Sequence, residues 1–482
     1  MPFALHDLPP EEDTAEAPTL RANMGEGTFV NDTVSQRWPT IIGKNASTFK
    51  EQRDAIHGKY GDDGVEAAKA ITGLMSKLIV EVTHTRYSIP LLEDSYEDAA
   101  LWNAEIERRR KRMSVNQPLS PALTYYTSAW MFAECYIYRY IFGVIYDSAI
   151  RGYDCFGAQK REQFEHDKPG IVAAASFLAQ RIGAIYGEDS VEKTNAMITA
   201  DLEAFIKLSL WGNVADMSLS GGEALLRCPS APPPPSPEEL AHAKAEHLVV
   251  DDVAKVTSEI LAGPSSSRLV SIILDNAASE LVGDLCLAEY LLASGTATKV
   301  SLHGKAFPWF VSDTTREDFD WTLTALEGME DEAAKKLTER IRARMAEGTL
   351  TWSAHAFWTR WNTWKEMREA APDLHEQLRS SALIIAKGDL NYRKLLLTRR
   401  PHYCIYHIRL ISSLQTAIGP LGLPPILALR TNKSEVLAGV SMEVASRLAA
   451  LDPTGIHREV FCTGKYAVAQ LFDEERSGKK TT

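Results

Sequence analysis

The chain reads as an α/β protein: a mostly parallel sheet with flanking helices in a Rossmann-like three-layer core, preceded by an α-helical N-terminal lobe. Three observations predict this. Apolar residues of the first half recur at helical spacing; those of the second half form short runs, each followed by polar residues and then a helical stripe; and a proline-rich stretch separates the two halves.

In the first half Val65, Ile71, Leu74, Met75, Leu78 and Ile79 mark one helical face, and similar stripes follow around Ile106, Trp130 to Ile141 and Ile171 to Ile185. The most apolar stretch, Tyr125 to Ile150, is interrupted by Glu134, Arg139 and Asp147, which predicts a buried helix and no membrane span. The run Pro229 to Pro237 cannot continue a helix and reads as an extended surface loop. Beyond it, strands are expected at Leu269–Leu274, Lys299–His303, Trp309–Val311, Leu383–Ala386 and Ile426–Leu429, with helices at Glu280–Ala293 and Arg316–Leu326 between them. The expected organisation is an acidic tail over 1–20, a helical lobe over 21–228, the proline-rich loop over 229–240, an α/β domain over 241–472 and a flexible tail over 473–482.

With 482 residues, 45% hydrophobic and 24% charged, the chain is long enough for a large core. A net charge of -12 argues against a nucleic-acid surface, because phosphate backbones are held by clustered Lys and Arg. An anionic ligand must therefore be handled locally. Six scattered cysteines form no C-x-x-C pair and suggest neither a disulfide framework nor a zinc site. The acidic, proline-containing start is the wrong composition for a signal or transit peptide, which points to the cytoplasm with nuclear access open.

The chemistry is expected at strand ends, since ligands of open parallel sheets collect outside the carboxyl ends of the strands. The run Arg268 to Leu274 ends in Asp275 and Asn276, whose oxygens suit a hard divalent cation such as Mg²⁺ or Mn²⁺. Asp and Asn are also preferred helix caps, so this strand alone leaves both roles open. Asp313, after Trp309–Val311, repeats the arrangement and favours a metal clamp, with the same capping alternative. After Leu383–Ala386 come Lys387, Gly388, Asp389, Leu390, Asn391, Tyr392 and Arg393; Arg393 has the donor fork for phosphate oxygens, while Asp389 and Asn391 suit hydroxyl groups. After Ile426–Leu429 comes Arg430-Thr431-Asn432-Lys433, where Lys433 offers a point charge. Metal, phosphate cations and polyol readers on one rim describe phosphoryl chemistry. His402 and His407 lie in or beside the apolar segment Tyr403 to Leu410 and read as structural histidines, and His303 follows a strand with no paired motif.

These same residues resemble a known family. Ile272 to Asp284, Phe310 to Asp313, Lys387 to Lys394 and Arg430 to Lys433 look like the motifs of the damage-control phosphatases, and the Arg-Thr-x-Lys element resembles the branch acting on carbohydrate phosphates. Further matches are Arg37-Trp38-Pro39, Glu134 to Arg139 and Leu210 to Asn213. The resemblance implies metal ligands at Asp275, Asn276 and Asp313, catalytic roles for Asp275 and Asp313, and substrate contacts from Asp275, Asn276, Asp389, Leu390, Asn391, Tyr392, Arg393 and Lys433. It implies Mn²⁺ first, with Mg²⁺, Ni²⁺ or Co²⁺ as alternatives, and small sugar phosphates such as fructose 1-phosphate, with fructose 6-phosphate next, as substrates of a monomer that needs neither nucleic acid nor membrane. The attacking group is either a water activated by the cation or Asp275 itself.

Two other readings compete. One member of the branch has been named an acidic-residue methyltransferase, which raises an S-adenosylmethionine-dependent protein-glutamate O-methyltransferase; the glycine-rich turn such enzymes carry after the first strand is replaced here by Asp275-Asn276-Ala277-Ala278. A non-enzymatic binding protein would rely on the proline-rich loop and on Arg108-Arg109-Arg110-Lys111-Arg112. Glu105 and Glu107 beside that run make a solvated helix face the simpler expectation.

Overall fold

The computed structural model describes residues 29–116, 123–186, 195–212, 245–396, 418–434, 436–451 and 462–474. The acidic tail, the proline-rich loop, His402 and His407 lie outside them.

Seven strands form one sheet: β1 (Leu248–Asp251), β2 (Leu269–Ile273), β3 (Lys299–His303), β4 (Leu350–Ser353), β5 (Leu383–Lys387), β6 (Ile426–Thr431) and β7 (Ala467–Phe472), in the spatial order β1-β7-β6-β5-β2-β3-β4. β2 pairs in parallel with β3 and β5, β3 with β4, β5 with β6 and β1 with β7; β6 and β7 run antiparallel. From β2 the chain moves outward through β3 and β4, then returns to place β5 on the other side of β2. The crevice between β2 and β5 is thus a topological switch point, where a doubly wound sheet leaves room for a ligand.

Alternation along the strands divides the core into two layers. Ile273, Ile384, Ala386, Ile426 and Val468 face helices Trp38–Glu51, Arg53–Thr83, Ala99–Asn116 and Trp130–Tyr146. Val270, Ile272, Val300, Leu302, Ile385 and Leu427 face helices Gly157–Tyr186, Asn195–Trp211, Ser279–Ala293, Arg316–Glu327 and Glu332–Glu347. Helices of the first half thus pack on both faces of the sheet. Helix Asn195–Trp211 ends hard against the start of Ser279–Ala293: a Cβ on Gly212 would lie 2.8 Å from Glu280 Cα.

Strands β2, β3, β5 and β6 and the helices Ser279–Ala293 and Arg316–Glu327 stand where the apolar pattern puts them, to within a few residues. The apolar stretch around Trp130 is the expected buried helix, and no helix among the described residues is long and apolar enough to cross a membrane. Trp309–Val311 is a correction. It is a turn, with Phe310 at φ 47° and Val311 at φ 70°, both in the left-handed region. The run is apolar because aromatic side chains of helix Trp130–Tyr146 bury it: Tyr138 stacks on Phe310 at 4.5 Å, and Phe142 on neighbouring Phe307 at 3.8 Å. Short β1 and β4 and antiparallel β7 carried no signal of their own in the sequence.

The basic run is absorbed into its helix. Arg108 and Arg109 bind Glu105, Arg110 binds Glu107 and the carbonyl of Ile89, and the Arg109 guanidinium lies over the Phe132 ring at 4.1 Å.

Candidate active site

The residues after β2, β5 and β6 meet at the switch point. Asp275 leaves the end of β2, and the chain then bends through Ala278 at φ 58° into helix Ser279–Ala293. Opposite it, β5 turns into helix Gly388–Leu396 through Gly388 at φ 84°; a Cβ there would lie 2.0 Å from the Asp275 carboxylate. Only glycine admits both that backbone and the approach of the acid.

Asp313 arrives by another route than its own strand end. The β3 connection folds back so that Asp313 forms an isolated antiparallel bridge with Asn276, while the Thr314 amide donates to the Asp275 carbonyl at 2.8 Å and the Ala277 amide to the Ser312 carbonyl at 2.8 Å. Thr315 and Asp318 close the connection with a reciprocal capping box at the start of helix Arg316–Glu327. Buried Lys305 clamps the connection, its ammonium donating to the Leu274 carbonyl at 2.7 Å and lying 3.0 Å from Asp313 Oδ2.

The Asn276 amide is oriented from both sides. Its Nδ2 donates to Glu280 at 2.8 Å and to Asp275 at 3.1 Å, and its Oδ1 accepts from Ser312 Oγ at 2.5 Å. Glu280 is in turn held by Lys387, which also binds Asp284 at 2.7 Å and the Ser209 carbonyl at 2.8 Å. Burial pushes the carboxyls of Glu280 and Asp284 up, with Lys387 opposing, and this buried lysine stays charged against its own desolvation because both acids face it.

On the β5 and β6 side, Asp389 anchors the cations. One oxygen accepts from Arg430 at 2.7 Å and Ser434 at 2.9 Å, the other from Arg393 at 2.9 Å. Burial alone would raise this carboxyl, but Arg430 and Arg393 outweigh it and hold it below its ordinary value. Arg393 also pairs with Glu134 at 2.9 Å and lies over the Trp130 ring at 4.2 Å. Arg430, from the Arg-Thr-x-Lys element, packs on Tyr392 at 4.5 Å and binds the carbonyls of Ser434 and Val436. It is a structural tie of the loop that presents Lys433.

A pocket opens among these groups at the strand ends. Of the residues singled out in the sequence, Asp275, Asn276, Asp313, Asp389, Leu390, Arg393 and Lys433 line it together. Asn391 and Tyr392 do not: the Asn391 amide donates to the Lys387 carbonyl at 2.7 Å and the Tyr392 hydroxyl to Gln470 at 2.8 Å, so both side chains serve the fold. Buried His303 lies outside the cavity; burial holds its ring pKa down at about 4 and keeps it neutral.

The first half supplies the rest of the lining, which reasoning from strand ends missed. Arg37 sits at the end of a π-helical turn, Thr33–Arg37, a local winding often found at functional sites. Trp38, Trp130, Glu134 and Tyr138 join it, with Trp38 Nε1 donating to Glu134 at 3.2 Å. The signal was present in the motif Arg37-Trp38-Pro39 and in Glu134, a carboxylate inside an otherwise apolar helix.

The oxygens of Asp275, Asn276 and Asp313 fit a hard divalent cation. Among the described residues no group of three or more His, Cys, Asp or Glu side chains is arranged to hold a metal, so an ion here would take two carboxylates and an amide and complete its shell with water and ligand oxygens. Among the described residues the lining itself sets four carboxylates, Glu134, Asp275, Asp313 and Asp389, against three cations, Arg37, Arg393 and Lys433, so a divalent cation would add the positive charge that a phosphate dianion calls for.

A sheet with oxygen donors and buried cations gathered at its switch point defines a phosphate-handling α/β protein. Comparison with known proteins gives the family: residues 33–448 match the damage-control phosphatase ARMT1-like domain, and the chain belongs to that family. It is similar to Damage-control phosphatase ARMT1 of Danio rerio, with 32% identity over 458 residues covering 94% of this chain and 96% of that protein. The Rattus norvegicus protein of the same name is 32% identical over 462 residues and the Homo sapiens protein 31% identical over 462, each alignment covering 95% of this chain and 99% of the relative. A crystal structure of a DUF89 family protein from Pyrococcus horikoshii aligns over 89% of this chain and 97% of its own at a TM-score of 0.38 and 14% identity.

Proposed function

We propose that this phosphatase-family chain hydrolyses the phosphate monoesters of small sugars, fructose 1-phosphate first and fructose 6-phosphate second, with a divalent cation, Mn²⁺ by preference and Mg²⁺, Ni²⁺ or Co²⁺ as substitutes. The observation that carries this reading is the convergence of Asp275, Asn276 and Asp313 with Lys433 and Arg393 on one cavity. Asp275, Asn276 and Asp313 would hold the cation, which when bound polarises the phosphoryl group and offsets its charge.

The protein's own part is binding and orientation. Lys433 and Arg393 are buried donors on the lining, and Arg393 is held in place by Asp389 and Glu134, so it meets phosphoryl oxygens with little reorganisation. Ser312 and Glu280 fix the orientation of the Asn276 amide, with its oxygen toward Ser312 and its nitrogen toward Glu280 and Asp275. Leu390 contributes an apolar patch to the lining. The substrate contacts proposed for Asn391 and Tyr392 would have to come from their backbone, since their side chains are committed elsewhere. The setting we propose is a monomer in the cytoplasm, with nuclear access open.

The test is phosphate release from a panel of sugar phosphates by metal-stripped protein, with and without each cation. Release that requires the cation and is strongest for fructose 1-phosphate supports the reading; equal release with and without cation refutes the metal assignment, and no release from any member refutes the substrate class.

A further inference from the structure

Trp130 lines the cavity from the start of helix Trp130–Tyr146. It is 2% exposed, its ring lies under the Arg393 guanidinium at 4.2 Å, and Phe29 meets it edge-on with ring centroids 5.9 Å apart. Its indole Nε1–H is buried and has no hydrogen-bond partner among the described residues. The neighbouring indole behaves differently, since Trp38 gives its N–H to Glu134. Trp309, Trp352, Trp358 and Trp364 also carry buried indole N–H groups without partners among the described residues, yet none of them lines this cavity.

An unsatisfied buried donor is costly, and a site can keep one where the ligand brings the acceptor. The cations that suit phosphate oxygens, Lys433 and Arg393, are already placed, and Glu134 has both oxygens engaged, by Trp38 and by Arg393. The indole N–H is therefore matched to an oxygen on the carbon skeleton of the substrate.

We infer that Trp130 is a specificity-determining residue: its Nε1–H donates to a hydroxyl or ring oxygen of the substrate, so the site selects monoesters of polyhydroxylated carbon chains over aryl phosphates of equal charge. This rests on the phosphatase reading above. Arg393 meanwhile keeps its packing on the ring, which separates the donor from the stacking surface.

Trp130→Phe keeps a ring under Arg393 and removes the donor. The experiment compares kcat/KM for fructose 1-phosphate and for p-nitrophenyl phosphate in wild type and variant with saturating Mn²⁺, with thermal melts confirming that both are folded. The ratio of the two constants is expected to fall about tenfold in the variant, chiefly through KM for the sugar phosphate. An unchanged ratio, whether both constants fall together or neither moves, overturns the inference, because stacking on Arg393 alone then accounts for Trp130. A wild-type protein that hydrolyses neither compound overturns the phosphatase reading, and this inference with it.

Discussion

Gly388 is the residue on which the site is most narrowly balanced, because the Asp275 carboxylate occupies the volume a side chain there would fill. Gly388→Ala is expected to lose about 1–3 kcal/mol of stability from backbone strain alone, read from denaturant melts, and at least about a hundredfold in kcat/KM as Asp275 is displaced. Asp389 makes a prediction of a different kind. Its folded pKa lies below the ordinary value of 3.8, so its contribution to stability is present above that pH and is lost as pH falls through the folded value. Asp389→Asn should destabilise the protein at pH 7, and the gap to wild type should narrow below about pH 4 in urea melts; a gap that stays constant with pH would contradict the pairing with Arg430 and Arg393. The strand-end residues were legible because oxygen-bearing side chains directly after an apolar run are visible in one dimension. What Asn391 and Tyr392 do was not, because helix Gly388–Leu396 turns their side chains toward the Lys387 carbonyl and Gln470, away from the cavity that Asp389, Leu390 and Arg393 line.

At the scale of elements, Lys387 is the joint: a single ammonium at the end of β5 ties helix Ser279–Ala293, through Glu280 and Asp284, to helix Asn195–Trp211, through the Ser209 carbonyl. Lys387→Met leaves two buried carboxylates without their cation and should cost about 3–5 kcal/mol, measured by urea denaturation. A loss under 1 kcal/mol would mean that the two acids accommodate each other without it. The turn at Ala278 offers the opposite test. Its φ of 58° suits glycine, so Ala278→Gly should be neutral or raise stability by up to about 1 kcal/mol, whereas a substantial loss would show that the bend is unstrained. The turn at Trp309–Val311 misled the pattern reading for a physical reason: burial under the aromatic face of helix Trp130–Tyr146 selects the same residues as burial in a sheet. Hydropathy reports burial and says little of the backbone that achieves it.

At the scale of the whole molecule, the fold class follows from the alternation of apolar runs and helical stripes after Ser266, and the switch point follows from that class. The helical first half precedes the sheet in the chain and packs directly on it, since helices Gly157–Tyr186 and Asn195–Trp211 belong to the layer that covers the sheet. The same arrangement explains why half of the cavity wall was hidden in the sequence. Arg37, Trp38, Trp130 and Glu134 reach the strand ends from elements more than 130 residues away from Asp275 in the chain, and no local pattern announces such a meeting. The sheet rim and the helical wall meet in one cavity that Asp275 lines.

The most direct measurement is steady-state phosphate release from fructose 1-phosphate by wild type and by Asp275→Asn, both metal-stripped, reloaded with Mn²⁺ and matched for thermal stability. The isosteric amide keeps the shape beside Gly388 and removes the charge, and the predicted result is a fall of at least about a thousandfold in kcat. Turnover within a few-fold of wild type would contradict the account and move the chemistry away from the end of β2.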